Sequence, residues 1–144
     1  MATSTEREFS AGGVVVRAGE CIVIVPTRRA ADGRRVLALP KGHIDPGETA
    51  ADAALREVRE EAGVEADIVE KLGDVRYWYM REGRRIAKSV SYFLLEYRAG
   101  EPEDHDHEVE DARWIGLEQA AAELTYKGDR RMAALALSRA QASK

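Results

Sequence analysis

Residues 49–63, TAADAALREVREEAG, constrain the fold more than any other stretch of the chain. Thr49, with Asp52 three residues on, predicts an N-cap and a helix that starts near Ala50. Gly63 predicts its end, because glycine takes the left-handed conformation past a helix C-terminus without a Cβ penalty. At about 100° per residue, Ala51, Ala54, Leu55, Val58 and Ala62 form one apolar stripe that must be buried on a neighbouring element. Glu57, Glu60 and Glu61 fall on the adjacent strip, where Ala53 leaves room for a group to approach. Like charges three and four residues apart cost an isolated helix about 0.2–0.5 kcal/mol per pair. Arg56 and Arg59 project away from that strip and do not relieve it. Two readings fit: a solvated charged face, or a site for a hard divalent cation, which takes oxygen ligands and keeps several waters.

The 144 residues suit one domain large enough to bury its own core. AGGVVV (11–16) and CIVIVP (21–26), separated by RAGE, predict a hairpin. Neither alternates cleanly, so both strands should be buried on two faces. VLALP (36–40) predicts a further strand, and KGHIDPGE (41–48) a turn-rich loop. Residues 67–83 and 84–97 flank Glu82-Gly83, a second hairpin. EPEDHDHEVEDA (101–112) is an acidic loop, RWIGL (113–117) a short strand, and EQAAAEL and residues 129–142 are helices. With no repeats and no linker, the expectation is a flexible stretch over 1–8 and one α+β domain over 9–142.

Composition removes several function classes. The net charge of −4 disfavours nucleic-acid polymers and anionic membranes, which select basic surfaces. No apolar run approaches the roughly 20 residues that span a bilayer, and MATSTEREFS lacks the apolar region of a signal peptide. The single cysteine, Cys21, lies in CIVIV and reads as a core residue. A cytoplasmic location is expected.

Gly42 is followed at fixed spacing by Glu48, Arg56-Glu57, Val58, Glu60-Glu61 and Gly63-Val64. This 23-residue stretch resembles the Nudix box at all nine defining positions. The resemblance implies an α/β/α sandwich with a mixed sheet between helices. It also implies Mg²⁺- or Mn²⁺-dependent hydrolysis of a nucleoside diphosphate linked to another group. The chemistry agrees, since a polyanionic pyrophosphate approaches an acidic site only through intervening cations. By the resemblance, Glu57, Glu60 and Glu61 are metal ligands, joined by a backbone carbonyl of Lys41 or Gly42. Lys41 also contacts substrate. Arg56 orients Glu57 or Glu48, and Glu48 and Gly63 are structural.

Hydrolysis by water needs a base. Glu57 is one candidate; Glu108, six residues before Trp114, resembles the loop glutamate of diadenosine-polyphosphate-type members, with Glu110 as the alternative. His105 and His107 have zinc-like spacing but lack a third and fourth ligand. KSVSYFLLEY (88–97) is similar to a strand of the dinucleoside class, which assigns Lys88 to a phosphate. Tyr77 and Tyr79 share one face of a strand and suit base stacking. Arg81, Arg84 and Arg85 supply further cations. The expected substrate is a dinucleoside polyphosphate or related nucleoside polyphosphate, and the expected assembly a monomer or homodimer. The alternatives are an oxidised-nucleotide (8-oxo-dGTP type) sanitising enzyme, an inositol-pyrophosphate phosphatase, and a module that senses nucleotides without cleaving them.

Overall fold

The computed structural model describes residues 5–142. Six strands form one sheet: β1 Glu6–Arg17, β2 Glu20–Pro26, β3 Lys41–His43, β4 Val64–Arg81, β5 Arg84–Gly100 and β6 Val109–Gly116. The order is β4-β5-β1-β2-β6, with β3 paired to β1. Only β1 and β5 run parallel, so the sheet is mixed. Helices α1 Ala50–Ala62, α2 Leu117–Glu123 and α3 Lys127–Ala142 complete it.

The helices cover opposite faces because the strands alternate. Ala11, Val15, Ile22, Ile24, Phe93 and Leu95 pack with Ala53, Ala54, Val58 and Ala62 of α1. Val14, Cys21, Val23, Val90, Tyr92 and Leu94 pack with Leu117 and Ala120 of α2 and Met132, Ala133 and Ala136 of α3. Both predicted two-sided strands are thus buried as read, and the layers form an α/β/α sandwich. Val58 is fully buried, which stabilises the fold by about 1.5–3 kcal/mol. Burial pushes the Cys21 thiol up to about 12, as expected for a core cysteine.

The caps of α1 form as read. The Asp52 N–H donates to the Thr49 hydroxyl at 3.1 Å, and Gly63 has φ 69° with its N–H on the Arg59 carbonyl. The second hairpin turns at Glu82-Gly83, both with positive φ.

Four expectations change. Residues 6–8 belong to β1, paired with Ile86–Lys88 of β5; residues 1–4 of the expected flexible stretch lie outside the described residues. Their polar alternation marks a sheet end covered on one face, which a single sequence does not distinguish from a tail. VLALP is no strand, and only Ala38 bridges to Ile24. Its other amides turn toward the α3 end: the Leu37 N–H donates to the Thr125 hydroxyl and the Leu39 N–H to Asp129. Lys41–His43, expected in a loop, forms β3 against Ser10–Gly12. Ala53 does not open the acidic strip but is fully buried in the core.

Candidate active site

The carboxylates of α1 meet the chain entering from β3. Gly42 sits so close to α1 that a Cβ there would collide with the Glu57 carboxylate. The Lys41 N–H donates to Glu61 Oε1 at 2.7 Å. One glycine and one backbone amide therefore lock β3 onto the helix.

Arg56 organises the rest. Its Nε and Nη2 donate to the two oxygens of Glu48 at 2.8 and 2.9 Å, and Nη2 also to the His43 carbonyl at 2.9 Å. Its Nη1 donates to Glu57 at 2.8 Å and to Glu60 at 3.2 Å. The planar guanidinium suits this forked set of acceptors, as a lysine would not. Arg56, off the acidic strip in projection, reaches it through its long side chain. The hydrogen bonds from Arg56 hold the Glu48 carboxyl down at about 2. Glu48 braces the loop by accepting the Asp45 N–H at 2.9 Å.

The ligand candidates behave differently. Burial raises the Glu61 carboxyl to about 8, against the lowering effect of the Lys41 amide. Burial also raises Glu57, with the charges of Glu60 and Glu108 adding to the effect. Glu57 and Glu61 are thus partly buried carboxyls whose ionisation is disfavoured by burial and by neighbouring negative charge.

The donor set fits a hard divalent cation. Glu57, Glu60, Glu61 and Glu108 offer only oxygen, all line one cleft, and their mutual repulsion is what a cation relieves. Among the described residues no three acidic, histidine or cysteine side chains are gathered closely enough to hold an ion as they stand. Arg56 Nη1 lies against both Glu57 and Glu60, and Mg²⁺ retains waters rather than requiring a full protein cage.

The cleft holds about 1460 Å³ and brings together Lys41, Lys88, Tyr77, Tyr79 and Arg81 with the α1 carboxylates. Lys88 is only 8% exposed. Burial lowers its pKa first, and the charge of Lys41 lowers it further. Tyr77 and Tyr79 stand with ring centres 6.3 Å apart on one face. Glu108 lines the cleft and its carbonyl accepts the Thr27 N–H at 3.0 Å. Glu110 instead pairs with Arg29 and Arg35. Arg81 is already matched, donating to Glu8 at 2.9 Å, and Arg84 pairs with Glu6. Arg85 stacks on Trp78, 3.9 Å from the ring centre.

Among the lining residues that sequence reasoning missed are Glu8, Arg28, Tyr126 and Asp129. Tyr126 is half exposed beside Lys127. Asp129 is buried, accepting the Tyr92 hydroxyl at 2.8 Å and the Leu39 N–H at 3.2 Å. Its one legible signal is an acid in the first turn of a helix, which is common for dipole reasons alone.

Among the described residues no helix is long and apolar enough to cross a membrane. Known proteins resemble the chain throughout. It is 37% identical over 138 residues to the mutator protein MutT4 of Mycobacterium tuberculosis, covering 92% of this chain and 55% of that protein. The chain thus spans about half the length of that relative. It is 37% identical over 100 residues to the asymmetrical bis(5′-nucleosyl)-tetraphosphatase of Mus musculus, covering 69% of this chain and 68% of that one. A NUDIX hydrolase structure from Nitrosomonas europaea superposes with a TM-score of 0.73 at 18% identity, covering 96% of this chain and 91% of that one. The NUDIX domain model matches residues 7–136, and with that span added to the box geometry, the chain belongs to the NUDIX family.

Proposed function

We propose that the protein hydrolyses a pyrophosphate bond in a dinucleoside polyphosphate or related nucleoside polyphosphate, using Mg²⁺ or Mn²⁺. The observation that carries this reading is a single cleft with three kinds of lining: carboxylates on α1, then Lys41 and Lys88, then Tyr77, Tyr79 and Tyr126. A bound divalent cation would neutralise charge on the phosphoryl oxygens and acidify a water. Glu57, Glu60 and Glu61, with the carbonyl of Gly42, are the groups proposed to hold it. Arg56 keeps Glu57 and Glu60 in place. Lys41 and Lys88 bind phosphate oxygens, and Tyr77 and Tyr79 stack on a base. Glu57 and Glu108 are the two carboxylates proposed to accept the proton of the attacking water.

Support for the dinucleoside substrate also comes from the tetraphosphatase relative. A second reading, an oxidised purine nucleotide, draws on the 8-oxo-(d)GTP phosphatase of Mycolicibacterium smegmatis, 35% identical over 94 residues. A substrate panel read by phosphate and nucleotide release, with and without Mg²⁺, tests both. Faster turnover of dinucleoside tetraphosphate than of 8-oxo-dGTP, dependent on metal, is the expected result. Tight nucleotide binding without turnover would replace hydrolysis by sensing.

A further inference from the structure

The cleft changes sign along β1. Gly12 pairs with Lys41, Ser10 with His43, and Glu8 with Lys88, which in turn faces Tyr77 on β4. The next row brings Ile86 and Tyr79. From the carboxylate site outward the lining therefore runs from Lys41 to a row in which Lys88 and Glu8 stand side by side, and then to Tyr79.

The Glu8 side chain is 16% exposed. Its Oε1 accepts the Tyr79 hydroxyl and lies 3.7 Å from Lys88 Nζ. Its Oε2 accepts Arg81 Nη1, while Arg81 Nη2 donates to the Tyr79 oxygen. Glu8, Tyr79 and Arg81 thus close a ring of hydrogen bonds. The bond from Tyr79 outweighs burial and lowers the Glu8 pKa, so the group is charged at neutral pH. Arg81 already has its anion, and one side of Lys88 faces the same anion.

We propose that Glu8 is a specificity residue that ends the phosphate track: at the row it shares with Lys88 the cleft takes an uncharged, hydroxyl-bearing group, a nucleoside sugar, and turns away a further phosphate. This rests on the proposed polyphosphate reading and adds what sits at the remote end. A phosphate arriving there finds Arg81 and one side of Lys88 already matched by the Glu8 carboxylate, and must compete with that fixed charge for both cations. A sugar hydroxyl instead donates to a carboxylate oxygen, the stronger class of neutral-to-ion hydrogen bond.

Two substrates with equal phosphate number separate the possibilities. Dinucleoside tetraphosphate ends in a nucleoside and nucleoside 5′-tetraphosphate ends in a phosphate. The ratio of their kcat/KM values should favour the dinucleoside in the wild type. In Glu8→Gln, which keeps the shape and loses the charge, the ratio should fall about tenfold, or about 1.4 kcal/mol. Calorimetry with inorganic tripolyphosphate, without metal, should show about tenfold tighter binding to Glu8→Gln than to wild type. An unchanged ratio and an unchanged tripolyphosphate affinity in Glu8→Gln would overturn the proposal. If neither substrate turns over, the hydrolytic reading fails, and the tripolyphosphate titration still decides the role of Glu8.

Discussion

The Lys41 backbone N–H donates to the Glu61 carboxylate across 2.7 Å, joining the strand that enters the site to the helix that holds its acids. Glu61→Gln keeps an acceptor for that amide and removes a buried carboxylate. The metal-free variant should unfold at or above the wild-type temperature, and Mg²⁺ should raise its Tm far less than it raises that of the wild type. Turnover should fall at least about 100-fold. Thermal scans across a Mg²⁺ titration, with steady-state rates, check both.

Gly42→Ala places a methyl group where the Glu57 carboxylate now lies. The obstructed atoms are the far end of a flexible side chain, so Glu57 should swing aside and the fold should survive. Misplacement by about 1 Å costs on the order of 100-fold in rate. A low kcat with a Tm close to wild type is the expected pair of readings.

Arg56→Lys keeps the charge and loses the fork that reaches Glu48, Glu57, Glu60 and the His43 carbonyl. Hydrogen bonds to charged groups contribute about 1.5–3 kcal/mol each, part of which water restores here. A loss of about 2 kcal/mol in urea unfolding should accompany the loss of activity.

Glu48 gives the pH dependence of that brace. Its folded-state pKa of about 2 lies below the unfolded value near 4.5, so its contribution is complete above pH 4.5. The contribution is lost as pH falls toward 2. The stability gap between wild type and Glu48→Gln should therefore be largest at neutral pH and close in acid. Equal gaps at pH 7 and pH 2.5 would remove Arg56 as the cause.

Asp129 latches α3 to the chain ahead of β3 by accepting from Leu39 and Tyr92. Asp129→Ala leaves two buried donors unmatched, at about 1–3 kcal/mol each. Asp129→Asn retains an acceptor for Leu39 and can donate to the Tyr92 oxygen, so it should recover most of the loss in denaturant unfolding.

What could be read in advance followed the reach of each signal. The caps of α1, the turn at Glu82-Gly83 and the spacing of Gly42, Glu48, Arg56, Glu57, Glu60 and Glu61 are local, and local geometry realises them. VLALP misled because its apolar residues are buried, as a strand's would be, yet its amides bond to Thr125 and Asp129 some 90 residues away. Glu8 looked like part of a polar tail because only the pairing of β1 with β5 brings it beside Lys88. Arg56 was excluded from the acidic strip by projection, which ignores how far a guanidinium extends.

The parallel pairing of β1 with β5 has a consequence for synthesis. Eleven successive positions, from Glu6 with Ile86 to Val16 with Glu96, join segments 80 residues apart. At about 5–20 residues per second, the ribosome delivers β5 several seconds after β1. During that interval the strand pairing of β1 is limited to the short hairpin with β2 at Val16–Cys21 and Arg17–Glu20, and later β3 at Ser10–Gly12. The central strand of the finished sheet is made first and completed late, so the backbone N–H and C=O groups along its β5 edge stay without their strand partner until residue 96 emerges.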